Sequence, residues 1–136
     1  MEDNKPKKAR NFRNYKVWQD AVAYATRVYK VTSEMPWFEK KGLCDQLQRA
    51  AVSISSNIAE GAAKPSDVEF AHFLDTALGS AFEVETQLQI AKNVGYLRGN
   101  NDNHNDNVNV VSYEELLIEI QEIEKQLNGL ISKLRD

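Results

Sequence analysis

The sequence predicts an all-α protein, an antiparallel up-and-down four-helix bundle. In four long segments, apolar residues recur every three or four positions, as one face of a helix requires. Proline, glycine or asparagine-rich stretches separate these segments, and no stretch of useful length alternates apolar with polar residues as a strand does. The chain has 136 residues, of which 42% are hydrophobic, so it fits one domain over residues 15–136 that needs no disulfide.

The first helix is predicted over about residues 16–35. Its apolar stripe consists of Val17, Ala21, Tyr24, Val28 and Val31. Pro36 disfavours helical backbone in the residue before it, so the helix is expected to end near Ser33 to Met35. Residues 1–14 are polar and basic and contain Pro6, which predicts a disordered arm.

The second helix is predicted over about residues 41–62, following the break at Gly42. Its apolar face consists of Leu43, Leu47, Ala50, Ala51, Ile54 and Ile58. Gly61 is predicted to take the left-handed conformation that ends many helices. Pro65 then prevents the helix from continuing.

The third helix is predicted over residues 66–94. Ser66 is its expected N-cap, and Glu69, three residues later, completes a capping box. Gly95 is the expected stop. The apolar stripe consists of Phe70, Phe73, Leu74, Ala77, Ala81, Val84, Leu88 and Ala91.

An asparagine-rich loop is predicted over residues 99–111, because asparagine side chains compete with helix by bonding their own backbone. Ser112 and Glu115 form a second capping box, which opens a fourth helix over residues 113–134. Most connections are short, so consecutive helices are expected to be antiparallel.

Charge is distributed unevenly along the chain. Residues 1–16 hold six basic and two acidic side chains, whereas the remainder holds 11 basic and 18 acidic ones. The basic segment predicts contact with nucleic acid or an acidic partner; the alternative is a solvated tail. The candidate nucleic-acid contacts are Lys5, Lys7, Lys8, Arg10, Arg13 and Lys16. No apolar run reaches the roughly 18 residues of a membrane span, and a single cysteine fits a reducing compartment, so a cytoplasmic location is expected.

Motifs for metal, cofactor or catalytic chemistry are incomplete. No glycine-rich phosphate loop is present. Glu69 and His72 match one half of a di-iron unit, but His104 lies in the asparagine-rich loop and cannot supply the second half. Cys44 lies beside an apolar face, which favours a buried, inert thiol. We therefore predict no catalytic residue, no cofactor and no metal.

The asparagine-rich loop also invites comparison with a calcium loop. With Asp102 and Asp106 as ligands one and five, the turn position is Asn107 instead of glycine. The twelfth position is Tyr113 instead of glutamate. The calcium pattern therefore fails, and a flexible loop is expected.

A polar stripe borders the apolar faces of the second and third helices. Its members are Arg49, Ser53, Asn57 and Glu60 on the second helix, and Gly79, Ser80 and Glu83 on the third. Arg49 and Glu83 are expected to pair across the helices, and Gly79 suggests that something packs where a side chain would not fit. One interpretation is a structural network within a subunit or between subunits; the other is a ligand or catalytic pocket.

The stripe carries a resemblance to a known family. Residues 46–61, QLQRAAVSISSNIAEG, and residues 73–80, FLDTALGS, followed by Glu83, resemble the two hallmarks of the proteins encoded by intervening sequences in bacterial 23S rRNA genes. That family was once catalogued as a ribosomal protein family. The likeness extends over about residues 12–134.

The resemblance implies an antiparallel four-helix bundle that assembles into a ring-shaped homopentamer, with no established enzymatic activity. The accessory variability determinant of diversity-generating retroelements is a related pentamer, which is basic and binds a reverse transcriptase and nucleic acid. We therefore expect a homo-oligomer that engages RNA or a ribonucleoprotein. The alternative is an adaptor without nucleic-acid affinity that scaffolds a partner enzyme such as a reverse transcriptase.

Overall fold

Four long helices form the protein, as the sequence predicts. The computed structural model describes residues 10–99 and 112–136, and no strand occurs in these two ranges. The helices are α1 (Lys16–Thr32), α2 (Leu43–Ala62), α3 (Asp67–Asn93) and α4 (Tyr113–Arg135). Two short 3-10 turns, Phe12–Asn14 and Trp37–Glu39, precede α1 and α2.

Contacts between helices show that neighbours are antiparallel. The hydroxyl of Ser80 in α3 bonds that of Ser53 in α2, and the Phe70 ring, ten residues earlier in α3, lies beside Gly61 near the end of α2. The Tyr24 hydroxyl in α1 donates to the carbonyl of Leu116 in α4, and the Gln126 amide, ten residues later in α4, donates to Asp20, which comes earlier in α1. The fold class is therefore confirmed as an all-α bundle.

The ends of the helices follow local chemistry. The Ser66 and Ser112 hydroxyls accept hydrogen bonds from the backbone N–H groups of Glu69 and Glu115, both at 3.1 Å, as the capping boxes predict. Gly95 follows α3 with a φ of +90°, a conformation that glycine adopts without strain. α1 stops at Thr32, earlier than predicted, because a hydrogen-bonded turn over residues 33–35 precedes Pro36.

The prediction for Gly61 is wrong. Gly61 lies inside α2, is buried and lacks a positive φ. A Cβ placed on it would lie 2.6 Å from the Phe73 Cβ and 2.9 Å from Cδ1 of the Phe70 ring. Gly61 is therefore the point where α3 approaches α2 too closely for a side chain.

The last residues of the predicted disordered arm are instead packed on the bundle. The Arg10 guanidinium donates to the Lys64 carbonyl at 2.8 Å, bonds Asp67 and lies over the Phe70 ring. The Phe12 ring stacks edge-on against Trp18 at 5.0 Å. These contacts tie residue 10 to the turn between α2 and α3. The described residues do not include Lys5, Lys7, Lys8 or the loop positions 100–111, among which are Asp102, His104, Asp106 and Asn107.

The core lies between the four helices and consists mostly of apolar side chains. Its largest fully buried side chains include Leu47, Ile54, Phe70, Leu74, Leu88, Leu116, Ile120 and Leu127. Within the described residues, no helix combines the length and apolar character needed to cross a membrane.

Candidate interaction surface

Three members of the polar stripe form a hydrogen-bonded cluster between α2 and α3. The Ser80 hydroxyl donates to the Ser53 hydroxyl at 2.9 Å. The Asn57 amide donates to both the carbonyl and the hydroxyl of Ser53, at 2.8 and 2.9 Å. Ser80 is buried and the other two are half-buried. This cluster fixes the register of α2 against α3, as the structural interpretation of the stripe predicts.

The expected pairing of Arg49 with Glu83 does not occur. The Arg49 guanidinium is 79% exposed and pairs with Asp45 of its own helix at 2.9 Å. Glu83 is exposed and lies 3.5 Å from the Gln87 amide, one turn further along α3. Asp45 is the nearer partner because it stands four residues before Arg49 on the same helix face.

Gly79 and Glu60 also face outward. A Cβ built on Gly79 would meet no atom within 4 Å, so nothing in residues 10–99 and 112–136 explains a glycine in the middle of α3. Glu60 is exposed near the end of α2. The stripe therefore divides into an inner hydrogen-bonded part and an outer part that points away from its own chain. We call the outer part, Arg49, Glu60, Gly79 and Glu83, the outer face.

The basic residues of the N-terminal segment are engaged to different degrees. Arg10 is held by the turn between α2 and α3. Arg13 is exposed and its guanidinium lies 4.5 Å from the centre of the Phe12 ring. Lys16 is exposed and pairs with Asp20 at 2.6 Å, which raises the pKa of its ammonium group. Arg13 and Lys16 are thus exposed to solvent, whereas Arg10 packs against the bundle.

Residues suited to metal or nucleophilic chemistry are dispersed. His72 is exposed on α3, and the part of the chain that the structure describes brings no three histidine, cysteine or acidic side chains together as metal ligands. Cys44 is buried, and burial raises the pKa of its thiol. Its Sγ lies 3.6 Å from the Thr32 carbonyl, so the group is a poor nucleophile.

Two surface grooves accompany α1. The larger, of about 420 Å³, lies between α1 and α4 and is lined by Asp20, Ala23, Tyr24, Arg27, Ile118, Glu119, Glu122 and Ile123. The smaller, of about 350 Å³, lies between α1 and α2 and is lined by Val22, Ala25, Thr26, Tyr29, Val52 and Ser55. No residue of the polar stripe lines either groove.

Sequence reasoning missed two features. Glu124 in α4 is 8% exposed, and burial, followed by the hydrogen bond and charge of Glu85 in α3, raises its pKa to about 8. Trp37 and Phe38, in the turn before α2, are 85% and 62% exposed. A tryptophan–phenylalanine pair outside every apolar stripe, directly after Pro36, was a signal that could have marked the second feature.

The comparisons with known proteins agree with this architecture. The family model described as 23S rRNA-intervening sequence protein matches residues 13–129. The chain is similar to the crystal structure of a protein of unknown function from the S23 ribosomal protein family of Bacteroides thetaiotaomicron. That likeness has a TM-score of 0.66 and 26% sequence identity over 85% of this chain and 97% of that one. No curated protein sequence matches the chain. The fold and the matched residues together show that this chain is a member of the 23S rRNA-intervening sequence protein family.

Proposed function

We propose that this protein is a non-enzymatic, self-associating helical bundle, and that the outer face of α2 and α3 is the contact between its subunits. The main support for this proposal is the presence of a glycine, Gly79, in the middle of α3. A glycine within a helix costs about 1 kcal/mol relative to alanine, yet Gly79 has open space around it. A second copy approaching α3 closely at this position would account for the missing side chain.

The chemistry of the outer face supports self-association. Arg49 carries a positive charge, and Glu60 and Glu83 carry negative ones, all on exposed parts of adjacent helices. Opposite charges on a single surface can pair with their counterparts on another copy. Val52 and Phe82, which are 39% and 51% exposed on the same two helices, add apolar area. The resemblance to a family of ring-shaped pentamers suggests five copies.

Light scattering of the purified protein tests this assembly. We expect a mass five times that of the 15.5 kDa chain. The variant Gly79→Leu should shift the mass toward that of a monomer, because its side chain occupies the space needed for close approach. The matched control is Gly129→Leu, since Gly129 is also exposed within a helix and its Cβ would also meet no atom within 4 Å. A monomeric wild type, or equal masses for both variants, contradicts the proposal.

We further propose that the assembled bundle engages RNA or a ribonucleoprotein through its basic N-terminal segment. Six basic residues against two acidic ones in residues 1–16 support this, and assembly repeats the segment in every subunit. Phosphate contacts of this kind weaken steeply as salt rises. The position of Arg10 indicates where to shorten the chain, because removal of residues 1–9 leaves its contacts with Lys64 and Asp67 intact.

A salt titration of RNA binding by the full chain and by the chain lacking residues 1–9 tests this part. We expect weaker binding and a smaller salt dependence after truncation. If neither protein binds RNA at low salt while the assembly persists, the adaptor hypothesis replaces the RNA hypothesis. The mass measurement and the RNA measurement therefore fail independently.

A further inference from the structure

The turn between α1 and α2 exposes two aromatic rings side by side. Trp37 is 85% exposed and Phe38 is 62% exposed, and their centroids lie 6.2 Å apart with the planes at 82°. Trp37 and Phe38 contribute nothing to the core. Exposure of large aromatic side chains to water is energetically unfavourable unless a ligand or partner covers them.

The turn that carries these rings is held firmly. The Glu39 carboxylate accepts a hydrogen bond from the Tyr96 hydroxyl at 2.8 Å and from the Leu43 backbone N–H at 3.3 Å. The Lys40 backbone N–H donates to the Trp37 carbonyl at 3.1 Å. The turn is thus tied to both α2 and the segment after α3. The rings are exposed on a fixed backbone, which lowers the entropy lost when a ligand binds.

Positive charge accompanies the rings. Lys40 and Lys41 follow directly and are exposed, and neither forms an ion pair within residues 10–99 and 112–136. Two acidic residues share this turn: Glu34 is exposed, and the Glu39 carboxylate accepts hydrogen bonds from Tyr96 and Leu43. The surface therefore combines flat apolar rings with two adjacent ammonium groups that form no ion pair within the described ranges.

We propose that Trp37 and Phe38 are a stacking site for the bases of single-stranded RNA, with Lys40 and Lys41 contacting the adjoining phosphates. Every base has a flat face that stacks on an aromatic ring, and this contact contributes about 1–3 kcal/mol per base. Duplex RNA is a poor ligand for the site, because its bases are already stacked on one another. The charge of the lysines favours a phosphate chain over an apolar or basic protein segment.

The site deepens the proposed RNA association and rests on it, yet it is spatially separate from Arg10, the first described residue of the N-terminal segment. Arg10 lies at the turn between α2 and α3, whereas Trp37 precedes α2 at its opposite end. α2 has 20 residues, which corresponds to a length of about 30 Å. Each contact can therefore be removed without disturbing the other.

Tryptophan fluorescence provides a direct test. The chain has two tryptophans, and Trp18 is half-buried against Phe12. In the variant Trp18→Phe, Trp37 becomes the only reporter. Titration with single-stranded oligouridine RNA should quench its fluorescence saturably, and a blunt RNA duplex of equal length should have much less effect. Unchanged Trp37 fluorescence in the presence of bound RNA overturns the proposal.

Substitutions provide the second arm of the test. Trp37→Ala should weaken oligouridine binding about tenfold, which corresponds to about 1.4 kcal/mol. Lys40→Gln combined with Lys41→Gln should lower the slope of log affinity against log salt by about 1.4, or 0.7 per lost phosphate contact. Tyr29→Ala, which removes another half-exposed ring, on α1, is the matched control and should leave RNA affinity unchanged.

The outcomes separate this site from the proposed function. If RNA binds but Trp37→Ala binds as tightly as the wild type, the stacking site is wrong and the N-terminal contact stands. If Trp37→Ala changes the mass in light scattering instead of RNA affinity, the rings are a contact between copies and the stacking site is again wrong. If the wild type binds no RNA at low salt, both RNA proposals fail.

Discussion

The contact between α2 and α3 differs from that between α1 and α4, although both join long amphipathic helices of one bundle. At α2–α3, a Cβ added to Gly61 would lie only 2.6 Å from the Phe73 Cβ, and the Ser53 and Ser80 hydroxyls are hydrogen-bonded to each other. At α1–α4, a groove of about 420 Å³ remains open. Small side chains allow α2 and α3 to approach closely, whereas mostly larger side chains line the space between α1 and α4.

The α1–α4 groove is bridged mostly at its rim. The Gln126 amide donates to Asp20 at 2.8 Å, and the Arg27 guanidinium lies 3.1 Å from a Glu119 carboxylate oxygen. Ile118 is 66% exposed at the edge of the groove. Exposed ion pairs stabilise a fold far less than buried apolar contact does. We therefore expect α2–α3 to contribute most of the stability and α1–α4 to tolerate change.

Substitution at Gly61, in the close contact between α2 and α3, should have the largest effect on stability. Gly61→Leu forces a branched side chain against Phe70 and Phe73, and we expect it to lower the free energy of unfolding by about 3 kcal/mol. Urea denaturation followed by circular dichroism measures the change. Gly129→Ala, at an exposed position with open space, should instead raise stability by about 0.5–1 kcal/mol. Equal effects of the two substitutions would show that close packing at Gly61 does not matter.

The second prediction concerns the carboxyl group of Glu124, which is buried on α4. Burial is the main cause that raises the pKa of Tyr24, which lines the groove, and the Glu119 and Glu124 carboxylates raise it further. Glu124 has an oxygen, Oε2, without a hydrogen-bond partner among the described residues, and its pKa rises from 4.5 to about 8 through burial and the neighbouring Glu85. Folding therefore takes up a proton between these two pH values.

The sign of the pH dependence follows from this uptake. Glu124 costs no stability below its unfolded pKa of 4.5, and the cost grows as the pH rises to about 8 and is constant above that. Glu124→Gln should leave stability unchanged in acid and raise it progressively as the pH increases from 4.5 to about 8. Urea midpoints measured across this range test the prediction. Glu122→Gln, exposed on the same helix, is the control, and an equal gain from both would contradict it.

The smallest effect is expected at the rim of the α1–α4 groove. Arg27→Gln removes ion pairs with Glu115 and Glu119, whose side chains are 58% and 40% exposed. We expect a loss of about 0.5 kcal/mol at low salt and none at high salt. Thermal unfolding at both salt concentrations checks it, with Lys30→Gln, exposed on the same helix, as the control. A larger, salt-independent loss would mean that the rim holds the bundle together.

Much of the fold was predictable because its signals are local. The capping boxes at Ser66 and Ser112 act within four residues of chain, and the structure forms both. Gly95, the predicted stop, follows α3 and has a positive φ. The early end of α1 was not predictable from Pro36 alone, because a turn over residues 33–35 intervenes.

The candidate site was less predictable, because its partners lie far apart in sequence. Ser53, Asn57 and Ser80 meet as the polar stripe suggested, but Arg49 turns to Asp45 and leaves Glu83 exposed. Two ionic partners one turn apart on a helix meet without any tertiary contact, so they can compete with a partner on another helix. Which of two carboxylates an arginine pairs with depends on the distances between helices, and the spacing of apolar residues in the sequence does not specify those distances.

By itself, the sequence determined the four helices, the capped starts of α3 and α4, the apolar faces and the family of the chain, because these depend on residues a few positions apart. Tertiary structure alone decided the roles of two glycines that look alike in sequence. Gly61 lies against Phe70 and Phe73, whereas Gly79 faces open space. The physical reason is that a glycine's role depends on what approaches its Cα, and that neighbour comes from another helix.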